Sequence, residues 1–161
     1  KSSMNYTVCV IKILSLWNNG MPDVIPVWLT MRYWMIRNPY KHHNWEDVLF
    51  RDSYSLYGIK GRYAQKLIAS MLPDDKAIYY DPHKRSCMGV LEVAREPFQD
   101  FTACETQRLC VDFKPIKTLA EPVVLSVLKE SDLFKGSLFL RQPRFSITEI
   151  SPAQFQFIFI T

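Results

Sequence analysis

The sequence predicts an α+β domain, a curved mixed sheet closing into a small β-barrel with short helices at its flanks, and three observations carry that reading. Short apolar runs bounded by turn residues recur at Tyr33 to Ile36, Ala77 to Tyr80, Met88 to Ala94, Leu109 to Phe113 and Phe145 to Ile150, which suits strands better than helices. Helical patterns between them are few and short, as in an α+β chain rather than a regularly alternating one. Aromatic residues make up 14% of the chain and recur along most of it, so most belong to the core and some are free to act as stacking surfaces. The mouth of such a barrel can hold one small ligand.

At 161 residues the chain suits one domain with a substantial core. A formal net charge of +4 allows an anionic partner without requiring one. Between Arg32 and Lys66 seven basic residues face three acidic ones, a patch that either neutralises a few phosphates, with salt-sensitive affinity, or is simply a solvated face. Cys9, Cys87, Cys104 and Cys110 form no C-x-x-C pair and are not spaced with His42, His43 or His83 as zinc ligands would be. Free thiols, no metal and a reducing, cytoplasmic setting are therefore expected. Lys12 interrupts the best apolar run, Tyr6 to Trp17, so no stretch approaches the ~20 residues of a membrane span. Neither a membrane partner nor a cleaved signal peptide is expected. The sequence sets no oligomeric state.

In chain order, residues 1–30 combine a β-branched apolar run with the turn-dense Asn18-Asn19-Gly20-Met21-Pro22-Asp23. They read as an N-terminal extension of uncertain order, with Thr7 to Leu14 an edge strand or a short helix, Met31 an alternative initiator, and the domain proper over 31–161. Arg37-Asn38-Pro39 ends the first strand. Asn44 caps a short helix, Trp45 to Phe50, whose first turn carries Glu46 and Asp47. Ser53 to Gly58 reads as a tyrosine-rich loop. The helix from Arg62 to Met71 sets Tyr63, Leu67 and Met71 on one stripe beside Ala64 and Ile68, leaving Arg62 and Lys66 in water. Pro73 and Asp74-Asp75 then turn the chain into the strand Ala77 to Tyr80. The helix becomes a lid on the sheet, and a ligand is expected where this lid meets the tyrosine strand. A basic loop, Asp81 to Cys87, leads to Met88 to Ala94, and a polar loop follows to about Gln107. Lys114-Pro115 is expected to end the next strand and Pro122 to start a helix, Val123 to Glu130. Ser151-Pro152 caps a final helix, Ala153 to Ile160, although Phe155 to Ile160 has strand propensity.

Several fragments stand in a specific order: Tyr33-Trp34-Met35-Ile36-Arg37-Asn38-Pro39, Trp45-Glu46-Asp47-Val48, Leu56-Tyr57-Gly58-Ile59-Lys60, Met88-Gly89-Val90-Leu91-Glu92-Val93, Leu140-Arg141-Gln142-Pro143-Arg144-Phe145-Ser146-Ile147 and Ser151-Pro152-Ala153-Gln154-Phe155. Together, from Arg32 to about Ile160, they resemble the EVE domain, a member of the PUA-like superfamily and a relative of the YTH domain. Two departures stand out. Leu56 occupies the place of a family tryptophan thought to belong to an aromatic cage, and Arg37-Asn38-Pro39 replaces the family's Ser-Glu-Pro, removing a carboxylate.

The resemblance implies a PUA-like fold that recognises a modified base flipped out of DNA or RNA, without catalysis and without a cofactor. Nucleic acid is the implied partner. Candidate base-binding residues are Arg37, Asn38, Leu56, Tyr57, Gly58, Lys60, Tyr80, Gln142 and Arg144, with Tyr57 and Tyr80 as aromatic walls and Tyr54 and Tyr79 as alternatives. On a strand Tyr79 and Tyr80 must point to opposite faces, so at most one lines a pocket. Arg62, Lys66, Lys84 and Arg85 are the candidate phosphate-binding residues. The plainer alternatives are core positions for Tyr79 and Tyr80, a solvated loop for Arg37 and Asn38, a structural brace of the sheet for Arg141 and Arg144, and a solvated face for the other basic residues. A second reading is an ASCH-like nucleoside amidohydrolase, which needs Lys60, Glu92 or His83 to supply an acid-base group in one dry pocket. A third is a small-molecule or protein-interaction domain.

Overall fold

The structure, a computed structural model, describes residues 31–103 and 107–161. The extension over residues 1–30, with Cys9, and also Cys104 lie outside the described residues. The elements in chain order are β1 (Tyr33–Arg37), α1 (Trp45–Arg51), β2 (Tyr54–Leu56), α2 (Arg62–Ala69), β3 (Lys76–Asp81), β4 (Ser86–Val93), β5 (Phe98–Gln99) and β6 (Leu109–Val124). After β6 come α3 (Leu125–Glu130), a 3-10 turn at Asp132–Phe134, α4 (Leu138–Arg141), β7 (Ile147–Ile150) and α5 (Pro152–Ile160). The strands form one mixed sheet in the order β2-β6-β4-β3-β1-β7, curled into a half-barrel, with β5 paired to β6. β1 runs parallel to β3 and antiparallel to β7, and the remaining neighbouring strands pair antiparallel.

The strand period of two divides the core between the two faces of the sheet. Trp34, Ile36, Tyr79, Leu91 and Phe113 pack on one face under Trp45 and Val48 of α1 and Ala64, Leu67 and Ile68 of α2. Met35, Ile78, Tyr80 and Val90 pack on the other, under Leu128, Phe134, Phe139, Phe155 and Ile158. Gly89 is what lets α1 lie close to the sheet, because a Cβ there would overlap the Trp45 indole. The Trp45 Nε1–H donates to Thr118 Oγ1 at 3.1 Å, which keeps the buried ring satisfied. Asp75, expected only as a turn residue, is buried and accepts from Trp34 Nε1 and Leu72 N, both at 3.1 Å.

Local signals account for the helix ends. Asn44 and Asp47 form a reciprocal capping box at α1, and Asp52 closes it in the left-handed region at φ 49°. Ser151 and Gln154 do the same at α5, with Pro152 in the first turn. The strand propensity of Phe155 to Ile160 loses to this cap and to burial of Phe155 and Ile158.

Four sequence expectations are corrected. β6 does not end at Pro115 but runs sixteen residues, through Pro115 and Pro122. Both prolines fall where the β4–β6 register shifts, at Val90/Leu91 and between Cys87 and Gly89, and at such bulges a missing N–H costs no ladder bond. α3 consequently starts at Leu125 rather than at Pro122. The tyrosine-rich loop contains a short strand, β2, whose pairing partners Val111, Asp112 and Phe113 are remote in sequence. The lid helix ends at Ala69, and its Tyr63 is 40% exposed, stacked on Phe145 rather than buried. Among the described residues no helix is long and apolar enough to cross a membrane.

Candidate functional site

Beyond β1 the chain loops back over the end of the half-barrel, and Asn38 holds that loop. Its side chain is 2% exposed and uses every hydrogen-bonding position it has. Nδ2 donates to Tyr40 O at 2.9 Å and His43 O at 2.6 Å, while Oδ1 accepts from Tyr40 N at 3.2 Å and Tyr54 Oη at 3.1 Å. Asn38 therefore builds the loop and has no group left for a base edge, which corrects its expected role.

The loop delivers Tyr40 onto Tyr57. The two rings stack with centroids 4.9 Å apart at 22°, and the Tyr40 hydroxyl accepts from Tyr57 N at 2.7 Å while donating to Tyr57 O at 2.8 Å. Tyr54 follows the inward side of β2, touching Tyr40, Tyr79 and Phe113 edge-on or tilted. Burial pushes the phenols of Tyr40, Tyr54 and Tyr79 above their ordinary range, so all three remain neutral donors. The exposed side of this cluster opens into a cleft of about 210 Å³ lined by His43, Asp47, Arg51, Ser53, Ser55 and Tyr57, among others.

Beyond Tyr57 the chain turns at Gly58, which has φ 69° and suits that turn because it lacks a Cβ. Its N–H donates to Asp100 Oδ2 at 2.7 Å. The other oxygen of Asp100 accepts from Thr102 N at 2.9 Å and Thr102 Oγ1 at 2.6 Å. Burial pushes the Asp100 carboxyl up, but these three donors outweigh it and hold its pKa below the usual value. A group depressed in this way adds stability that is fully present above the unfolded pKa, near 4, and lost as pH falls through the lower folded value. Thermal unfolding at neutral and acid pH checks this. Asp100→Asn should be less stable than wild type at pH 7, and the gap should close below about pH 4. Beside Asp100, Phe101 is 82% exposed, an aromatic that sequence reasoning left inside an undifferentiated polar loop.

The remaining candidates separate. Leu56 is fully buried on the inward side of β2 and cannot wall an open cleft. Tyr80 is 3% exposed and lies on the opposite face from Tyr79, against Phe139. The expectation that Tyr57 and Tyr80 form two walls of one pocket is thereby corrected: Tyr40, not Tyr80, faces Tyr57. Arg37 is committed to structure, donating to Pro143 O and, at 3.0 Å, to Phe139 O, with its guanidinium 4.5 Å above the Phe139 ring. Burial lowers its pKa. Gln142 and Arg144 are exposed, flanking Pro143, which Arg37 at the end of β1 holds, and Phe145, which stacks on Tyr63 in the first turn of α2. Lys60, Arg62, Lys66 and Arg85 are solvent-exposed, while Lys84 pairs with Glu46 at 2.9 Å beside the first turn of α1. Arg51, one of the seven basic residues between Arg32 and Lys66, lies on the cleft itself.

The acid-base candidates do not converge. His83 lies exposed in the β3–β4 turn. Glu92 sits toward the far end of β4, pairing with Lys76 and, at 3.3 Å, with Lys114. Among the described residues no cluster of His, Cys, Asp and Glu could hold a metal ion.

A family model described as the EVE domain matches residues 32–160. The NMR structure of Rpa0253 from Rhodopseudomonas palustris is similar with a TM-score of 0.74 and 21% identity, over 80% of this chain and 90% of that one. Human THYN1, solved with DNA containing 5-methylcytosine, has a TM-score of 0.71 and 14% identity over 80% of this chain and 96% of that one. The YTH domain of Zygosaccharomyces rouxii MRB1, solved with N6-methyladenosine RNA, has a TM-score of 0.55 and 16% identity over 86% and 91%. No curated protein matches the chain.

Proposed function

Because this chain belongs to the EVE domain family, we propose that it binds nucleic acid without catalysis, receiving one modified, unstacked base of DNA or RNA against the face of Tyr57. The observation that carries the reading is the aromatic mouth itself. Tyr57 is 36% exposed, fixed at its peptide by the Tyr40 hydroxyl and backed by the Gly58–Asp100 turn, and it borders a polar cleft. A rigid, half-exposed ring loses little entropy on stacking with a base. Arg51 on the cleft and Lys60 beyond the Gly58 turn supply positive charge for flanking phosphates. Two proteins of the same fold, THYN1 and the YTH domain of MRB1, were each solved with a methylated nucleic acid, which supports a modified base as the ligand.

The test is fluorescence anisotropy with short oligonucleotides in matched pairs, with and without cytosine or adenine methylation, at two salt concentrations. Selective binding of one modified member should survive the higher salt. Tyr57→Ala should weaken it by about five- to a hundred-and-fiftyfold, as expected for losing one base–aromatic stack of roughly 1–3 kcal/mol. The hydrogen bonds of Tyr40 go to the Tyr57 backbone and persist in the alanine variant, so folding is not the confounding factor. Equal affinity of wild type and variant for every oligonucleotide would remove Tyr57 from the site, and with it the proposal.

A further inference from the structure

Tyr40 meets Tyr57 in the way a nucleobase would. It lays a planar ring on the Tyr57 face and satisfies both the N–H and the C=O of the Tyr57 peptide with a single hydroxyl. Its two attachments are separate. The Tyr40 backbone is strapped by Asn38 through N and O, whereas the side chain is held by the Tyr57 peptide and by ring contacts with His43 and Tyr54. A rotamer change of Tyr40 therefore leaves the Asn38 strap intact. It frees a stacking face together with one donor and one acceptor at a half-exposed residue. We propose that the Tyr40 side chain is an internal competitor for the ligand position on Tyr57, displaced by a base that offers a donor beside an acceptor on its edge, as the amino group and ring nitrogen of adenine and cytosine do. The inference rests on the base-binding reading above.

Its consequences follow from competition. The apparent affinity is the intrinsic affinity reduced by the fraction of molecules in which Tyr40 has swung away. Tyr40 sets specificity as well, since a ligand that stacks but cannot replace both hydrogen bonds leaves a peptide group unpaired. A sugar-phosphate chain without a base gains nothing from its displacement.

The experiment compares wild type, Tyr40→Phe and Tyr40→Ala in binding a short oligonucleotide and its counterpart carrying one abasic residue at the modified position. Tyr40→Phe keeps the ring and the fold but removes both hydrogen bonds, so it should bind the base-containing strand about three- to tenfold more tightly than wild type. Tyr40→Ala should bind it more tightly still, while abasic binding stays unchanged in both. Unchanged or weaker binding of the base-containing strand by Tyr40→Phe, with wild type still preferring it over the abasic strand, would make Tyr40 a fixed wall: the competitor inference fails and base binding stands. No preference for the base-containing strand in any of the three proteins would overturn both.

Discussion

Asn38→Ala is expected to lower the stability of the domain by about 3 kcal/mol. The buried side chain makes four hydrogen bonds. Not all four cost the same when removed. The Tyr40 peptide and the His43 carbonyl belong to half-buried residues where solvent can replace the lost partner. The Tyr54 hydroxyl is buried among Tyr79, Phe113 and Tyr40, and orphaning one such group costs roughly 1–3 kcal/mol by itself. Asn38→Asp should be worse at neutral pH, because it turns a donor facing two carbonyl oxygens into a carboxylate. Burial would raise that carboxyl's pKa in the folded state. The variant should therefore be relatively more stable below the unfolded value, near 4, and lose ground as pH rises through the raised folded value. Urea unfolding of the wild type and both variants at two pH values measures this. Coincident midpoints would mean that the four bonds add nothing net.

Gly89→Ala should cost about 3 kcal/mol or more, the upper end of overpacking in a core. Gly89 lies in β4, hydrogen-bonded between β3 and β6, so the backbone has no room to retreat. The added Cβ would overlap the Trp45 indole. Trp45 would have to leave, giving up the Thr118 hydrogen bond and its contact with Tyr79, 5.2 Å between centroids. The site would then suffer indirectly, since α1 carries Asp47, Val48 and Arg51 of the cleft. A double-mutant cycle makes the cause visible: in a Trp45→Leu background the same Gly89→Ala change should be much milder. An equal penalty in both backgrounds would place the strain elsewhere.

What could be read from the chain was what local chemistry decides. Asn44 and Ser151 announce their helices because a cap is a contact between residues three apart. Tyr79 and Tyr80 were separable onto opposite faces because a strand leaves no alternative. The ordered fragments from Tyr33 to Phe155 pointed to the family, and the family model agrees over residues 32–160. What stayed hidden depends on partners remote in sequence. Pro115 and Pro122 read as strand and helix punctuation, and only pairing with β4 shows that they sit at bulges. β2 exists because β6 is there to receive it. Tyr40 had no distinguishing pattern, and its importance lies entirely in where the Asn38 strap delivers it. Alternation likewise could not say which of the two tyrosine faces looks toward Tyr57.

The β2–β6 ladder also bears on the order in which the protein comes together. Ser55 meets Asp112 across 57 residues of chain, and Arg32 meets Glu149 across 117. Closing such long loops makes folding slow, because the entropy is lost before the contacts form. During synthesis, which proceeds from the N-terminus, the strand bearing Tyr54 and leading to Tyr57 emerges early but has no ladder partner until residues 111–113 follow. β1 waits longer still for β7, although it can pair with β3 first. The aromatic rim around Tyr57 is thus a late product of assembly, with its side chains exposed on a nascent chain until residues 111–113 have been made.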